Sequence, residues 1–217
     1  MTLQGLQAIL FDLDGTLADT APDLVAALQR VCAEQNIEPP AYDSAARNVS
    51  NGAIGLTRLA FPHHEEAEQM ELCARLVEVY EANLCVNTVT YPGMRELLEQ
   101  LTARDITWGI VTNKLRRLAV PIIDQLGLGD DCAVVVGGDT AARNKPSPDP
   151  ILHALNELTL APHAVAYVGD HRKDIEAAHA AGSLTVAVTW GYIIPGEDPY
   201  DWDADYTIER PEELLSV

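Results

Sequence analysis

Two carboxylates stand two residues apart in Phe11-Asp12-Leu13-Asp14-Gly15-Thr16, directly behind the apolar run Ala8-Ile9-Leu10. Polar residues follow later apolar runs in the same way: Thr112, Asn113 and Lys114; Lys145 ahead of Pro146; Gly169 and Asp170, with Asp174 one helical turn on. Three carboxylates are hard oxygen donors that suit Mg2+, which prefers octahedral oxygen coordination and keeps several waters. Asp170 and Asp174 are four residues apart, so a helix carries both on one face. A hydroxyl (Thr112) and an ammonium (Lys145) answer the remaining oxygens of a phosphate. A carboxylate can attack phosphorus and form an aspartyl-phosphate, dividing one difficult hydrolysis into two easier steps. Phosphoryl transfer asks mainly for positioning and charge neutralisation, and this set supplies both. A second acid two residues on is placed to protonate the leaving oxygen and then to activate water.

For residues so far apart in sequence to meet, the chain must gather several strand ends at one place. Five short apolar runs, 6–11, 106–112, 132–136, 164–168 and 184–189, are each short enough for a strand and lack polar alternation. That pattern fits strands buried on both faces of a parallel sheet. Between most of them lie helical patterns: Met94, Leu97, Leu98 and Leu101; Leu115, Leu118, Ile122 and Leu126, interrupted by Pro121; and Leu155 and Leu158 after Pro150, a residue suited to a first helical turn. Strands alternating with helices predict an α/β fold, a Rossmann-like doubly wound parallel sheet. In such sheets ligands bind outside the carboxyl ends of the strands, where all the polar residues named above would stand.

One interval breaks the rhythm. From Asp19 to Val89 no strand is evident, while Leu24, Leu28, Val31 and Cys32 make one apolar helical face and Leu72, Leu76, Val79 and Tyr80 another. The segment is too long for a loop and too regular for a linker. It predicts a helical domain over 19–89, inserted into an α/β core made of 1–18 and 90–217, with the return at Tyr91-Pro92-Gly93. Asp19 and Thr20, just before Pro22, are expected to cap its first helix. His63-His64 is expected in a solvated turn and the acidic stretch 197–205 in a solvated loop. Asp170 has a plain alternative role as the cap of the helix that follows it.

The formal charge, 14 basic against 33 acidic residues, is −19. Such a field repels nucleic acid and anionic membrane, so neither is expected as a partner. A small anionic substrate requires a metal or a few local cations to reverse the field at one place. Cys32, Cys73, Cys85 and Cys132 are scattered, without C-x-x-C or clustering with histidine, as expected of buried thiols in a reducing compartment. No apolar run approaches the length of a membrane span, and the N-terminus carries no secretory pattern, so a cytoplasmic protein is expected.

Four segments in order, DLDGT (12–16), VTNK (111–114), KPSPDP (145–150) and GDHRKD (169–174), resemble the four motifs of the haloacid dehalogenase-like hydrolase superfamily. The resemblance spans nearly the whole chain, including the helical insertion, which is similar to the family's cap domain. It implies a Mg2+-dependent phosphomonoester hydrolase. Carried over position by position, Asp12 resembles the nucleophile and Asp14 the general acid/base. Thr112 and Lys145 resemble the phosphate binders, with Asn113 beside them. Metal binding is implied for the Asp12 side chain, the Asp14 backbone carbonyl and Asp170, with Asp174 supporting them through metal water or by orienting Lys145. Retention of Asp14 favours phosphatase over dehalogenase chemistry.

Within that superfamily, Arg47-Asn48-Val49-Ser50-Asn51-Gly52-Ala53 resembles the loop that phosphoglycolate phosphatases bring over the active site. Arg47, Ser50, Asn51 and Gly52 are therefore candidate substrate contacts; Gly52 would permit close backbone approach, and Arg47 would suit a carboxylate on the substrate. The segments 107–114 and 188–205 also resemble N-acetylmuramic acid 6-phosphate phosphatases, whose substrate carries both a phosphate and a carboxylate. The leading expectation is a phosphoglycolate phosphatase-like enzyme, acting on a small phosphorylated metabolite as a monomer or homodimer. A sugar-phosphate mutase and a phospho-accepting receiver module are the remaining alternatives. A phosphonate hydrolase needs a cap lysine, and 19–89 contains none.

Overall fold

A computed structural model describes residues 5–216. The strands are β1 (Ala8–Phe11), β2 (Ala18–Asp19), β3 (Val89–Thr90), β4 (Thr107–Val111), β5 (Val135–Val136), β6 (Val165–Gly169), β7 (Leu184–Val188) and β8 (Tyr206–Ile208). Six of them form one parallel sheet in the order β5-β4-β1-β6-β7-β8. Every residue of β1 and β6 is buried, because helices cover both faces; this is why the runs lack polar alternation. The chain leaves β1 toward β4 on one side and returns to β6 on the other. That makes β1 the switch point of the sheet, where a crevice opens beyond the strand ends.

The helices are α1 (Ala21–Glu34), α2 (Tyr42–Arg47), α3 (Gly52–Ala60), α4 (Glu66–Glu81), α5 (Met94–Ala103), α6 (Arg116–Gln125), α7 (Asp149–Leu158) and α8 (Arg172–Ala181). Leu97 and Leu101 of α5 and Leu118 and Ile122 of α6 pack with Ile9, Phe11 and Ile110 on one face of the sheet. Ile151 and Ala154 of α7 and Ala177 and Ala181 of α8 pack with Leu10, Val111 and Tyr167 on the other. Pro121 sits inside α6 without ending it, between the buried Leu118 and Ile122. None of the helices among the described residues is long and apolar enough to cross a membrane.

Helices α1 to α4 all lie between β2 and β3 in the chain. The faces of α1 and α4 bury Leu24, Leu28, Val31 and Cys32 against Leu72, Leu76, Val79 and Tyr80. Strands β2 and β3 pair antiparallel, Ala18 opposite Thr90 and Asp19 opposite Val89, and so bind together the two connections to the helical layer. Asp23, in the first turn of α1, fastens the returning connection. Its carboxylate accepts from Asn87 N (2.9 Å), Asn87 Nδ2 (3.0 Å), Thr88 N (3.0 Å) and Thr88 Oγ1 (2.7 Å).

Three features depart from the sequence-based expectations. Strands β2, β3 and β8 are two or three residues long, below the length at which periodicity registers. The stretch 197–205 is not a solvated loop: Trp202 is buried against Ile175 and Ala187, and the Asp205 carboxylate accepts from both N and Oγ1 of Thr185, each at 2.8 Å. At α1, Asp19 Oδ1 does accept from Ala21 N (3.2 Å), but the Thr20 hydroxyl donates instead to Asp14 Oδ1 (2.5 Å).

Candidate active site

Asp12 is the first residue beyond β1, and its N–H still donates to Val168 O (2.9 Å), so the sheet itself fixes its backbone. Thr112, the first residue beyond β4, is held likewise by Val136 O (2.9 Å). Asp170 follows β6 directly. Its side chain does not cap α8, because His171 does that, with the imidazole Nδ1 accepting from Lys173 N (3.1 Å). Asp174 completes the reciprocal cap by accepting from His171 N (3.1 Å), which turns its carboxylate back toward the strand ends. Asp12, Asp170 and Asp174 thereby each offer an oxygen within 4.8 Å of one another, all three buried.

Lys145 lies among these acids. Its Nζ donates to Asp174 Oδ1 (2.6 Å), Tyr167 Oη (2.7 Å) and Val111 O (3.0 Å), and stands 3.1 Å from Asp12 Oδ1. Burial acts to discharge this ammonium, but the carboxylates of Asp12 and Asp174 outweigh it and hold its pKa above the usual lysine value. The backbone of Lys145 is clamped by Asn113, whose Oδ1 accepts from Lys145 N and whose Nδ2 donates to Lys145 O, both at 3.0 Å. The Lys145–Pro146 peptide is cis. Asn113 thus borders the cavity but commits its amide to positioning Lys145.

The acids are left in excess over the cations. Burial, with the nearby charges of Asp174 and Asp14, pushes Asp12 up to about 6 against the pull of Lys145. Burial and the charges of Asp12 and Asp174 push Asp170 up to about 8. Carboxylates that resist ionising together fit a divalent cation, which would relieve the repulsion that raises them. The donor set, all carboxylate oxygen, suits Mg2+.

Asp14 faces the same cavity and is tied by Lys114 Nζ at 2.7 and 3.0 Å. Lys114 packs in turn on the ring of Tyr80 from α4, 4.8 Å from its centroid. Gly15 makes the turn just after Asp14: φ is +83°, and a Cβ there would stand 2.2 Å from Asp170 Oδ2. Both the dihedral and the approach of Asp170 require glycine.

The cavity between the strand ends and the helical layer has a volume of about 380 Å3. Asp12, Asp14, Thr112 and Lys145 line one end, and Leu24, Ile54, Leu76 and Val77 line the helical side. Ser50, Asn51 and Gly52 also line it. The Ser50 hydroxyl donates to Asp170 Oδ2 (3.1 Å), and Asn51 Oδ1 accepts from Lys173 Nζ (3.3 Å). Gly52 has φ of +72° but open space where a Cβ would be, so its reason is the backbone conformation and not close approach. Arg47 is not brought to the cavity. It is exposed and donates to Ile193 O (3.3 Å), because the C-terminal segment passes beside α2 and offers that carbonyl.

Several residues of the site went unread in the sequence. Thr16 donates to Asp170 Oδ1 (3.2 Å), and Tyr192 N donates to Asp170 Oδ2 (2.8 Å). The Tyr192 hydroxyl accepts from Thr20 N and Ala21 N (2.8 Å each) and donates to Asp19 Oδ1 (2.7 Å). Thr16 sits inside a motif and had that signal. Tyr192, 22 residues beyond Asp170, had none, since only the return of the chain after β7 brings it there.

Residues 9–188 match the haloacid dehalogenase-like hydrolase family. The chain is 41% identical over 214 residues to an N-acetylmuramic acid 6-phosphate phosphatase of Pseudomonas putida, covering 98% of this chain and 96% of that one. It is 39% identical over 208 residues to a phosphoglycolate phosphatase of Xanthomonas campestris pv. campestris, covering 96% and 94%. Among solved structures, a predicted phosphoglycolate phosphatase from Haemophilus somnus superposes with a TM-score of 0.89 at 28% identity, covering 97% of each chain.

Proposed function

We propose a reaction from one premise: the chain belongs to the haloacid dehalogenase-like hydrolase family and is a phosphatase. It hydrolyses a small anionic phosphomonoester, in the manner of a phosphoglycolate phosphatase. The observation that carries this reading is the convergence of Asp12, Asp14, Thr112 and Lys145 at one end of one cavity. Residues 1–18 and 90–217 form the catalytic core, and 19–89 act as a cap that shields the reaction from water.

Thr112 and Lys145 hold the phosphoryl oxygens. Asp12 attacks phosphorus through a carboxylate oxygen as the bond to the leaving oxygen breaks, and Asp14 gives that oxygen its proton. Asp14, now ionised, takes a proton from a water that attacks the aspartyl-phosphate, releasing phosphate and restoring both acids. Asp12, Asp170 and Asp174, with the Asp14 carbonyl, would hold Mg2+. When bound, the cation neutralises phosphoryl charge and holds the transferring group in place. Ser50, Asn51 and Gly52 contact the substrate from the cap. Four free cysteines support work in the reducing cytoplasm.

A second reading at substrate level is favoured by a specific feature. A cavity of about 380 Å3 with an apolar helical side is larger than a two-carbon acid needs, and it suits a sugar phosphate such as N-acetylmuramic acid 6-phosphate. Measuring kcat/KM on phosphoglycolate, N-acetylmuramic acid 6-phosphate and hexose and triose phosphates that lack a carboxylate tests both readings. Failure to release phosphate from any of them over many turnovers would overturn the phosphatase assignment.

A further inference from the structure

The cavity is bordered by three lysines in a chain of strongly negative net charge. Lys114 is paired with Asp14, and Lys145 with Asp12 and Asp174. Lys173 differs. Its Nζ donates to the neutral Asn51 side chain (3.3 Å), and among the described residues no carboxylate lies within ion-pair distance of it. Lys173 also lines a second, more open groove of about 500 Å3 on the outer side of Asn51 and Ile54, together with Asn48 and Arg58. Arg58, on α3, has no acidic partner either among the described residues, and its residue is exposed. Elsewhere the cations of the helical layer are occupied: Arg30 and Arg75 with glutamates, and Arg47 with a backbone carbonyl.

Two cations without a carboxylate partner therefore stand at the seam between cap and core: Lys173, with Asn51 and Ile54, borders both the reaction cavity and the outer groove, and Arg58 borders the outer groove. We infer that Lys173 and Arg58 form an anion subsite that takes a carboxylate on the leaving group, while the phosphoryl end lies at Asp12. The inference rests on the phosphatase reading and adds to it where the second negative charge of the substrate is held. Arg47, the residue whose type and position suggested that task, faces the C-terminal segment instead. Because Lys173 belongs to α8 of the core and Arg58 to α3 of the cap, a bound carboxylate bridges the two layers and favours their closed arrangement. An ammonium and a guanidinium both donate charge-assisted hydrogen bonds to a carboxylate, and cations without a carboxylate partner give an anion a local exception to the repulsive field of an acidic protein.

The test compares two substrates that differ only by the lactyl ether that carries the acid: N-acetylmuramic acid 6-phosphate and N-acetylglucosamine 6-phosphate, which lacks it. The wild-type enzyme is expected to prefer the first in kcat/KM. In Lys173→Met, and in Lys173→Met with Arg58→Gln, that preference falls by about tenfold to a hundredfold, the range for a lost charge-assisted bond. Lys173→Arg restores most of it. Unchanged preference in the double variant overturns the subsite while leaving the phosphatase reading intact. Equal rates on both substrates in the wild type also overturn it, and absence of phosphate release from every ester overturns the underlying reading instead. Circular dichroism and turnover of 4-nitrophenyl phosphate identify a variant that has lost its fold; the milder Lys173→Gln then carries the same comparison.

Discussion

Lys145 Nζ lies 2.6 Å from Asp174 Oδ1, both side chains almost wholly buried, so the residue proposed to hold phosphate is oriented by an acid on α8. Removing the lysine strands Asp174 and Asp12 without their counter-charge. Lys145→Met is expected to cut kcat/KM on an aryl phosphate at least a hundredfold and to destabilise the fold by about 3–5 kcal/mol, the usual cost of breaking a buried pair from one side. Turnover assays and urea unfolding measure the two effects separately.

Asp12→Asn keeps the volume and the strand-end backbone bonds but replaces the carboxylate proposed as nucleophile with a neutral amide. Hydrolysis of an aryl phosphate should vanish while the circular dichroism spectrum and unfolding midpoint stay close to wild type. Full activity in this variant would sink the assignment of the nucleophile.

The raised carboxyls fix a pH dependence. Asp170 near 8 and Asp12 near 6 hold protons in the folded, metal-free protein that the unfolded chain, with ordinary carboxyls near 4, has lost. Their contribution to stability is therefore greatest at low pH and declines as pH rises from about 4 to about 8. Mg2+ competes with those protons, so its affinity should climb over the same range and its binding should release protons. Melting curves in chelator at several pH values, and Mg2+ calorimetry in buffers of different ionisation heat, read both effects. Asp170→Asn should flatten the upper part of the dependence. Chelation should stop turnover and added Mg2+ restore it.

Asp23 accepts hydrogen bonds from the backbone and side chains of both Asn87 and Thr88. Asp23→Ala leaves several buried donors without an acceptor, at about 1–3 kcal/mol for such a group. Equilibrium unfolding should show a loss of about 2–4 kcal/mol. Because the connection to the helical layer is loosened, limited proteolysis should cut near 85–90 faster than in wild type.

The strand runs, the helical faces of α1 and α4 and the ordered motifs were all legible in the sequence, because each depends on local spacing. Buried strands announce themselves by unbroken apolar runs, and a helix by its period. Short elements escaped: β2 and β3 have two residues each, and β8 has three, so pairing rather than pattern makes them strands. The stretch 197–205 read as solvent-facing from its acids, whereas Trp202 and Asp205 fasten it to β7 and α8.

By itself the sequence determined which chemistry is present: two acids on one extended segment, a hydroxyl, an ammonium and two further acids, each placed after a strand. Spacing along the chain carries that much, since strand ends in a parallel sheet must fall on one side. Only the tertiary structure decided how those groups divide their tasks. It turned Asn113 onto the Lys145 backbone, Lys114 onto Asp14 and Ser50 onto Asp170. It carried Arg47 away from the cavity and left Lys173 beside it without a carboxylate partner. Hydrogen bonds and ion pairs act over a few ångströms, and these partners, 32 to 146 positions apart, come that close only through the path of the folded chain.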